Sequence, residues 1–338
     1  MNSLKYICKI VSAGLLLALT GCGGPLPPPD PPNLAQTKDS LNRGNYWYSR
    51  GCYQEAERFY LDGENSARLN DNVLLIIRAQ NSQGAAALAQ GETNRAANHL
   101  ERALHLARAQ PGAPEIDKIL GNLGTLAQAL NQPQDAEKFW LEAIRSTVGL
   151  THSPIPYQVN LARLYLTKGR TEEFLALADL TLATIATITL NRSSSPSLAP
   201  NAASTFPLTP DKLILADVLN LAGQAAQIRG DLTIAEQHFR EALELDRQLE
   251  YTPGLAQDTE ALGRLLAELG PERNPEAASF LDRSFFLQVA LGNDQEAGQI
   301  LKLIQKLTAK SDLSSSIINS YQAVLKNPVP YRLTRQCP

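Results

Sequence analysis

The chain has 338 residues, 43% of them apolar and 19% charged, the balance of a folded, water-facing body. The length allows one elongated domain or two compact ones. The formal net charge is −3, with Lys and Arg scattered, so the chain lacks the basic stripe of a nucleic-acid binder.

Residues 1–21 read as an export signal. Lys5 and Lys9 form a basic start, and Ile10 to Leu19 form an apolar core too short to span a bilayer as a helix of ~20 residues. Leu19-Thr20-Gly21-Cys22 follows and resembles the lipobox of bacterial lipoproteins. The resemblance implies cleavage before Cys22 and thioether lipidation of its sulfur. Two or more acyl chains then anchor the protein, at ~0.8 kcal/mol per buried CH₂. In such lipoproteins an Asp after the Cys retains the protein in the inner membrane. Gly23 stands there instead, which favours the outer membrane and its periplasmic face. Residues 22–35 carry the proline run "GGPLPPPDPPNLA", read as a semi-rigid polyproline II spacer reaching ~40 Å. No later segment is long and apolar enough to cross a membrane.

Of the four cysteines, Cys8 leaves with the signal and Cys22 is the lipidation site. Cys52 and Cys337 remain, at opposite ends of the folded region. A bridge needs Cα atoms within about 7 Å, so in an elongated body they stay apart unless the tail folds back.

The body is rich in Ala and Leu, with apolar residues recurring at three and four, the helical period. Its segments repeat. A small residue is followed at +3 by a packing residue, at +7 by a turn residue, at +12 by a small one, at +16 by a large one and at +19 by a small one. The units are Gly44-Trp47-Gly51-Ala56-Tyr60-Gly63, Gly84-Ala87-Gly91-Ala96-Leu100-Ala103 and Gly124-Ala127-Asn131-Ala136-Trp140-Ala143. Ala162-Tyr165-Gly169-Phe174-Ala178-Thr181 exchanges large and small, and Gly223-Ala226-Gly230-Ala235-Phe239-Ala242 is regular. Gly263-Leu266-Gly270 continues two residues late with Ala277, Leu281 and Ser284.

These spacings resemble the tetratricopeptide repeat. The resemblance implies an all-α fold, a right-handed α-solenoid of about six to seven antiparallel helix pairs with a C-terminal capping helix. Small residues let paired helices approach, and Gly or Asn at +7 takes a left-handed conformation that ends the first helix. The large +16 residue fills the gap between neighbouring pairs. Ala56, Ala96 and Ala136 lie 40 apart against a repeat of about 34 residues, so the helices should be longer by about a turn.

Repeats one to four occupy residues 36–190. Residues 191–210, "NRSSSPSLAPNAASTFPLTP", form a Ser/Pro-rich loop. Residues 211–310 hold repeats five and six and a following helix. Residues 311–338 hold a capping helix, with Asp312 at its start, and an irregular tail. A polar outer face suits a terminal cap.

No catalytic constellation is present. His99 and His105 fall on different helix faces, His152 in a loop and His238 on a second helix, and no zinc-type Cys or His spacing occurs. The chain is expected to be no enzyme and to hold no metal or cofactor.

The recurrent polar feature lies on the first helix of each unit. Asn81, Asn122, Asn160 and Asn220 stand two or three residues before the unit's first small residue, with Arg78, Lys118, Arg163 and Gln224 nearby. In tetratricopeptide proteins those helices line the concave face. Asn carries a donor and an acceptor, so a ladder of them suits the main chain of an extended peptide. Ordinary solvated helix polarity is the other reading. In the first unit, Trp47, Phe59 and Tyr60 read as core, while Tyr46, Tyr48 and Tyr53 form a docking patch or a cap.

The function expected is a membrane-anchored scaffold or adaptor of the bacterial cell envelope, binding another envelope protein or a peptide. Similar architectures serve pilus-secretin assembly, outer-membrane protein assembly and peptidoglycan-hydrolase adaptors. The alternatives are a glycan- or peptide-binding lipoprotein of an outer-membrane importer, and an envelope enzyme. No nucleic-acid partner is expected.

Overall fold

The computed structural model describes residues 31–110, 112, 115–148, 153–193, 210–308, 314–331 and 337. The export signal, Cys22, most of the proline run, the 194–209 part of the loop and Asp312 lie outside the described residues.

Fourteen α-helices form among the described residues, and no strand. They pair antiparallel in chain order: α1 (Pro32–Ser49) with α2 (Tyr53–Leu69), α3 (Val73–Ala89) with α4 (Thr93–Ala109), and α5 (Ile116–Ala129) with α6 (Pro133–Ser146). Next come α7 (Ile155–Thr167) with α8 (Thr171–Ser193), and α9 (Pro210–Arg229) with α10 (Leu232–Gln248). The last pairs are α11 (Thr252–Leu269) with α12 (Asn274–Leu291), and α13 (Asp294–Thr308) with the capping α14 (Ser314–Lys326). This is the tetratricopeptide-type solenoid that the spacings imply. Odd-numbered helices also touch the odd helix of a neighbouring pair, α1 with α3, α3 with α5, α7 with α9 and α9 with α11. That places them on the inner side of the curve.

The repeat register explains the packing. Ala56, Ala96, Ala136, Ala235 and Ala277 have no exposed surface. The first glycine of each unit is where the two helices of a pair meet. A Cβ on Gly84 would stand 2.6 Å from Leu100, on Gly223 2.6 Å from Phe239 and on Gly263 2.6 Å from Leu281. Gly44 faces Tyr60 and Gly124 faces Trp140 in the same way. So the large +16 residue sits on the small residue of its own unit and also packs into the core shared with the next pair, as Leu100 does with Ile119 and Leu123 and Trp140 with Leu161. The indole N–H of Trp140 is satisfied as well, donating to the Gly121 carbonyl at 3.1 Å. In the exchanged unit, Phe174 and Ala178 are both fully buried. The turn residues behave as their chemistry requires. Gly91 (φ +77°) and Asn131 (φ +55°) are left-handed, the conformation that an amide side chain or no side chain tolerates.

Four sequence expectations need correction. First, α1–α4 are 17 or 18 residues long, but α5, α6 and α7 have 14, 14 and 13. In the third unit part of the 40-residue spacing lies in the segment between α4 and α5, where Pro111 and Pro114 cannot continue a helix. Second, Pro32 to Ala35 belong to α1 and not to the spacer, since a Pro needs no amide partner in a first helical turn. Third, α8 runs on through Ser193 and α9 starts at Pro210, which trims the loop at both ends. Fourth, Trp47 is only half-buried and packs on the rim of the first core, whereas Tyr60 lies inside it and Phe59 is buried.

Cys52 and Cys337 are joined, with Cα atoms 5.5 Å apart. The bridge crosses 285 positions of sequence. The curl of the solenoid brings its ends toward each other. Tyr251, in the turn between α10 and α11, lies within electrostatic reach of Tyr48 and Tyr53 beside the α1–α2 turn. Burial, then Tyr53 and Tyr251, push the Tyr48 hydroxyl up to about 12. Tyr48 and Tyr53 stack at 5.3 Å. These tyrosines thus lie near one another across distant repeats, a proximity that only the curvature reveals.

Candidate functional site

The inner helices present one face to the hollow of the curve. Positions three before, one after and four after the first small residue share that face, because they are three or four apart on a helix. What stands there differs between the two halves of the molecule.

In the N-terminal half the polar side chains hold one another. Asn122 on α5 donates to Asn81 on α3 at 2.9 Å. Arg78 and Lys118 both reach Glu115, at 2.8 and 3.1 Å. Burial pushes the Glu115 carboxyl up, but the two cations outweigh it and hold it below the usual carboxylate range. Tyr157 on α7 donates to the buried Asp117 on α5 at 3.0 Å. Apart from the local Lys118–Glu115 pair, each link ties an inner helix to the next or to the segment just before it.

In the C-terminal half the inner face opens into a groove of about 520 Å³ between α7, α9, α11 and α13. Leu166, Ala261, Ala267, Leu303 and Leu307 give it apolar floor, and Gln224, Gln227, Gln257, Glu260, Arg264, Glu268 and Lys306 give it polar wall. Arg264 pairs with Glu260 at 2.7 Å, and Gln227 donates to Glu268 at 2.7 Å. The amide nitrogen of Gln224 donates to Asn220 at 2.6 Å, while its carbonyl oxygen is buried without a donor. A buried acceptor left unpaired is unfavourable by about 1–3 kcal/mol, so the groove wall holds an unmet hydrogen bond. The surface is amphipathic: a chain segment with apolar side chains and main-chain donors meets complementary groups along it.

Behind this wall lies a polar knot. Asn220 is buried. It donates to Asp258 at 2.6 Å and accepts from Gln224 and from Gln257, the latter at 2.9 Å. Arg163 on α7 reaches Asp217 at 2.5 Å and Gln257 at 3.1 Å. Asp258 and Asp246 are both buried and in hydrogen-bond contact. Burial pushes both carboxyls well above the usual range. Asp217 adds to the rise at Asp246, and Asp246 adds to it at Asp258 against the Asn220 bond.

The eight residues singled out from sequence are thus dispersed. Arg78, Asn81, Lys118 and Asn122 are engaged with each other's helices. Asn160 is half-buried on α7. Arg163 and Asn220 form the knot, and Gln224 lines the groove. The groove residues Glu260 and Arg264 escaped the sequence reading, although their signal was present. Glu260 stands three before Gly263, as Asn220 stands three before Gly223, and Arg264 matches Gln224 one position after. Register, and not residue type, marks these positions. Among the described residues no cluster of His, Cys, Asp or Glu is arranged to hold a metal, and no helix is long and apolar enough to cross a membrane.

Residues 216–249, which are most of α9 and all of α10, match the tetratricopeptide repeat. No curated protein matches the chain in sequence. Among solved structures, the chain is similar to aspartyl phosphate phosphatase F of Bacillus subtilis, with a TM-score of 0.56 at 11% identity over 88% of this chain and 71% of that one. The apo form of the quorum sensor NprR from B. thuringiensis gives 0.53 at 16%, over 96% and 81%. BtubC from P. vanneervenii gives 0.44 at 16%, over 83% and 92%. At these identities the likeness is one of fold.

Proposed function

We propose that the protein is a lipid-anchored interaction scaffold of the bacterial cell envelope, which holds a polypeptide partner in the groove between α7 and α13. The observation that carries this reading is the groove itself: apolar floor with charged and amide walls, on the inner face of a repeat fold. A solenoid has little interior volume for chemistry but a long concave surface for contact. The anchor rests on the lipobox ending in Cys22, and it places the body on the periplasmic face of the outer membrane. The Cys52–Cys337 bridge supports an exported location, because disulfides persist in oxidising compartments. Assembly of pili or secretins, assembly of outer-membrane proteins and adaptation of peptidoglycan hydrolases are the processes such a scaffold would serve.

The test is capture of the partner from detergent-solubilised membranes, using the full chain and two variants. Ala261→Arg with Ala267→Arg fills the groove from two half-buried positions on α11. It should weaken capture at least tenfold, equivalent to about 1.4 kcal/mol, with little change in thermal midpoint. Cys22→Ala should abolish lipid labelling and release the protein from membranes while leaving capture intact. Undiminished capture by the filled groove would move the partner to the convex face or the tyrosine-rich first unit. A Cys22→Ala protein still membrane-bound after a high-salt wash would refute the anchor.

A further inference from the structure

The pair Asp246 and Asp258 plays no part in the groove's contacts, yet both carboxyls are buried. Asp246 ends α10 and Asp258 lies on α11, and the side chains are 4% and 1% exposed. Asp246 leans on Gly254 in the first turn of α11, where any side chain would displace it. Asp258 Oδ1 takes the amide hydrogen of Asn220. One oxygen of each, Asp246 Oδ1 and Asp258 Oδ2, is buried with no donor from the rest of the protein. Two carboxylates in contact cannot both be ionised in such a place, and a proton between them satisfies the contact.

We propose that Asp246 and Asp258 share a proton that clamps the start of α11 onto α10 and α9, and that loss of this proton loosens the groove wall. The groups that face the pair define how it responds. From α7, Arg163 favours ionisation, but Asp217 of α9 already engages it at 2.5 Å. Asp217 itself opposes ionisation of both carboxyls. Asn220 favours the charged form of Asp258. Tyr251, in the turn, is neutral through this range, its hydroxyl raised by burial and by Asp217. Ser284 of α12 is uncharged and bonds the Ala256 carbonyl at 2.9 Å. No cation from these elements takes the place of the proton. Once it leaves, repulsion acts between α10 and α11, beside Gln257, the residue next to Asp258, which ties the wall to Asn220 and Arg163.

The sign follows from linkage. The folded protein holds a proton that the unfolded chain gives up near pH 4. The stabilisation is complete below that pH and is lost as pH rises through about 7 to 8. The thermal midpoint of the full chain should fall by about 2–4 °C between pH 6 and pH 9, and amide exchange in α11 should quicken over the same range after correction for intrinsic rates. In Asp258→Asn the side-chain amide supplies a permanent hydrogen to Asp246 while its carbonyl still accepts from Asn220. Both pH effects should vanish. The same slope in Asp258→Asn as in the native chain would overturn the proposal. Should that variant fail to fold, carboxyl ¹³C titration of the native chain decides. Two raised, mutually dependent transitions support the shared proton, and ordinary transitions near pH 4 refute it.

Discussion

The inner faces of α3–α5 and of α9–α13 start from the same repeat register and end in different states. In the first, the polar groups find partners within the repeats: Asn81 with Asn122 and Arg78 with Glu115 across units, and Lys118 with the same Glu115 at the start of its own helix. In the second, the partners withdraw behind the wall into the Asn220 knot, and the surface left over is a groove. The neighbour decides. Glu115 sits just before α5 where two cations can reach it, while Asp258 sits a turn deeper and draws Asn220 inward. Register therefore tells which residues face the hollow, and cross-helix neighbours tell which of them stay available to a ligand.

Cutting the tie between the two ends should have the largest effect. Cys52→Ser opens the bridge and should lower stability by about 2–4 kcal/mol, read as a lower denaturation midpoint that the native chain reproduces under reductant. An unchanged midpoint would show that the ends hold together without the bridge. Next comes the knot. Asn220→Ala removes the donor from Asp258 and the acceptor of Gln224 and Gln257 together, and should cost about 2–3 kcal/mol. Asn81→Ala breaks one amide pair and should cost about 1 kcal/mol. Asn160→Ala, at a half-buried site, should fall within about 0.5 kcal/mol. Equal losses at the three Asn sites would erase the distinction between the two faces.

Most of the architecture was legible in the chain. The small residues at fixed offsets, the turn residues at +7 and the exchange of Phe174 with Ala178 are local patterns, and each maps onto a local contact. What escaped depends on curvature. Nothing near Cys52 announces Cys337, and Tyr48, Tyr53 and Tyr251 lie near one another only because small rotations between successive pairs accumulate. The groove was half-legible. Gln224 was picked out for its neighbours, but Glu260 and Arg264 hold the same register with other side chains. The Asn residues suggested a ladder because they share a residue type, whereas the structure uses three of them as internal braces.

The bridge between Cys52 and Cys337 also has a mechanical meaning. A chain held at its N-terminal end and drawn at its C-terminal end transmits tension along its shortest covalent route. Here that route passes from position 52 through the sulfurs to position 337. The helices between them carry none of that load. Traction applied beyond Cys337 thus bypasses the groove, while traction applied by a partner seated in the groove enters the repeats directly. The protein stays compliant to pulling at its concave surface and stiff to pulling at its ends.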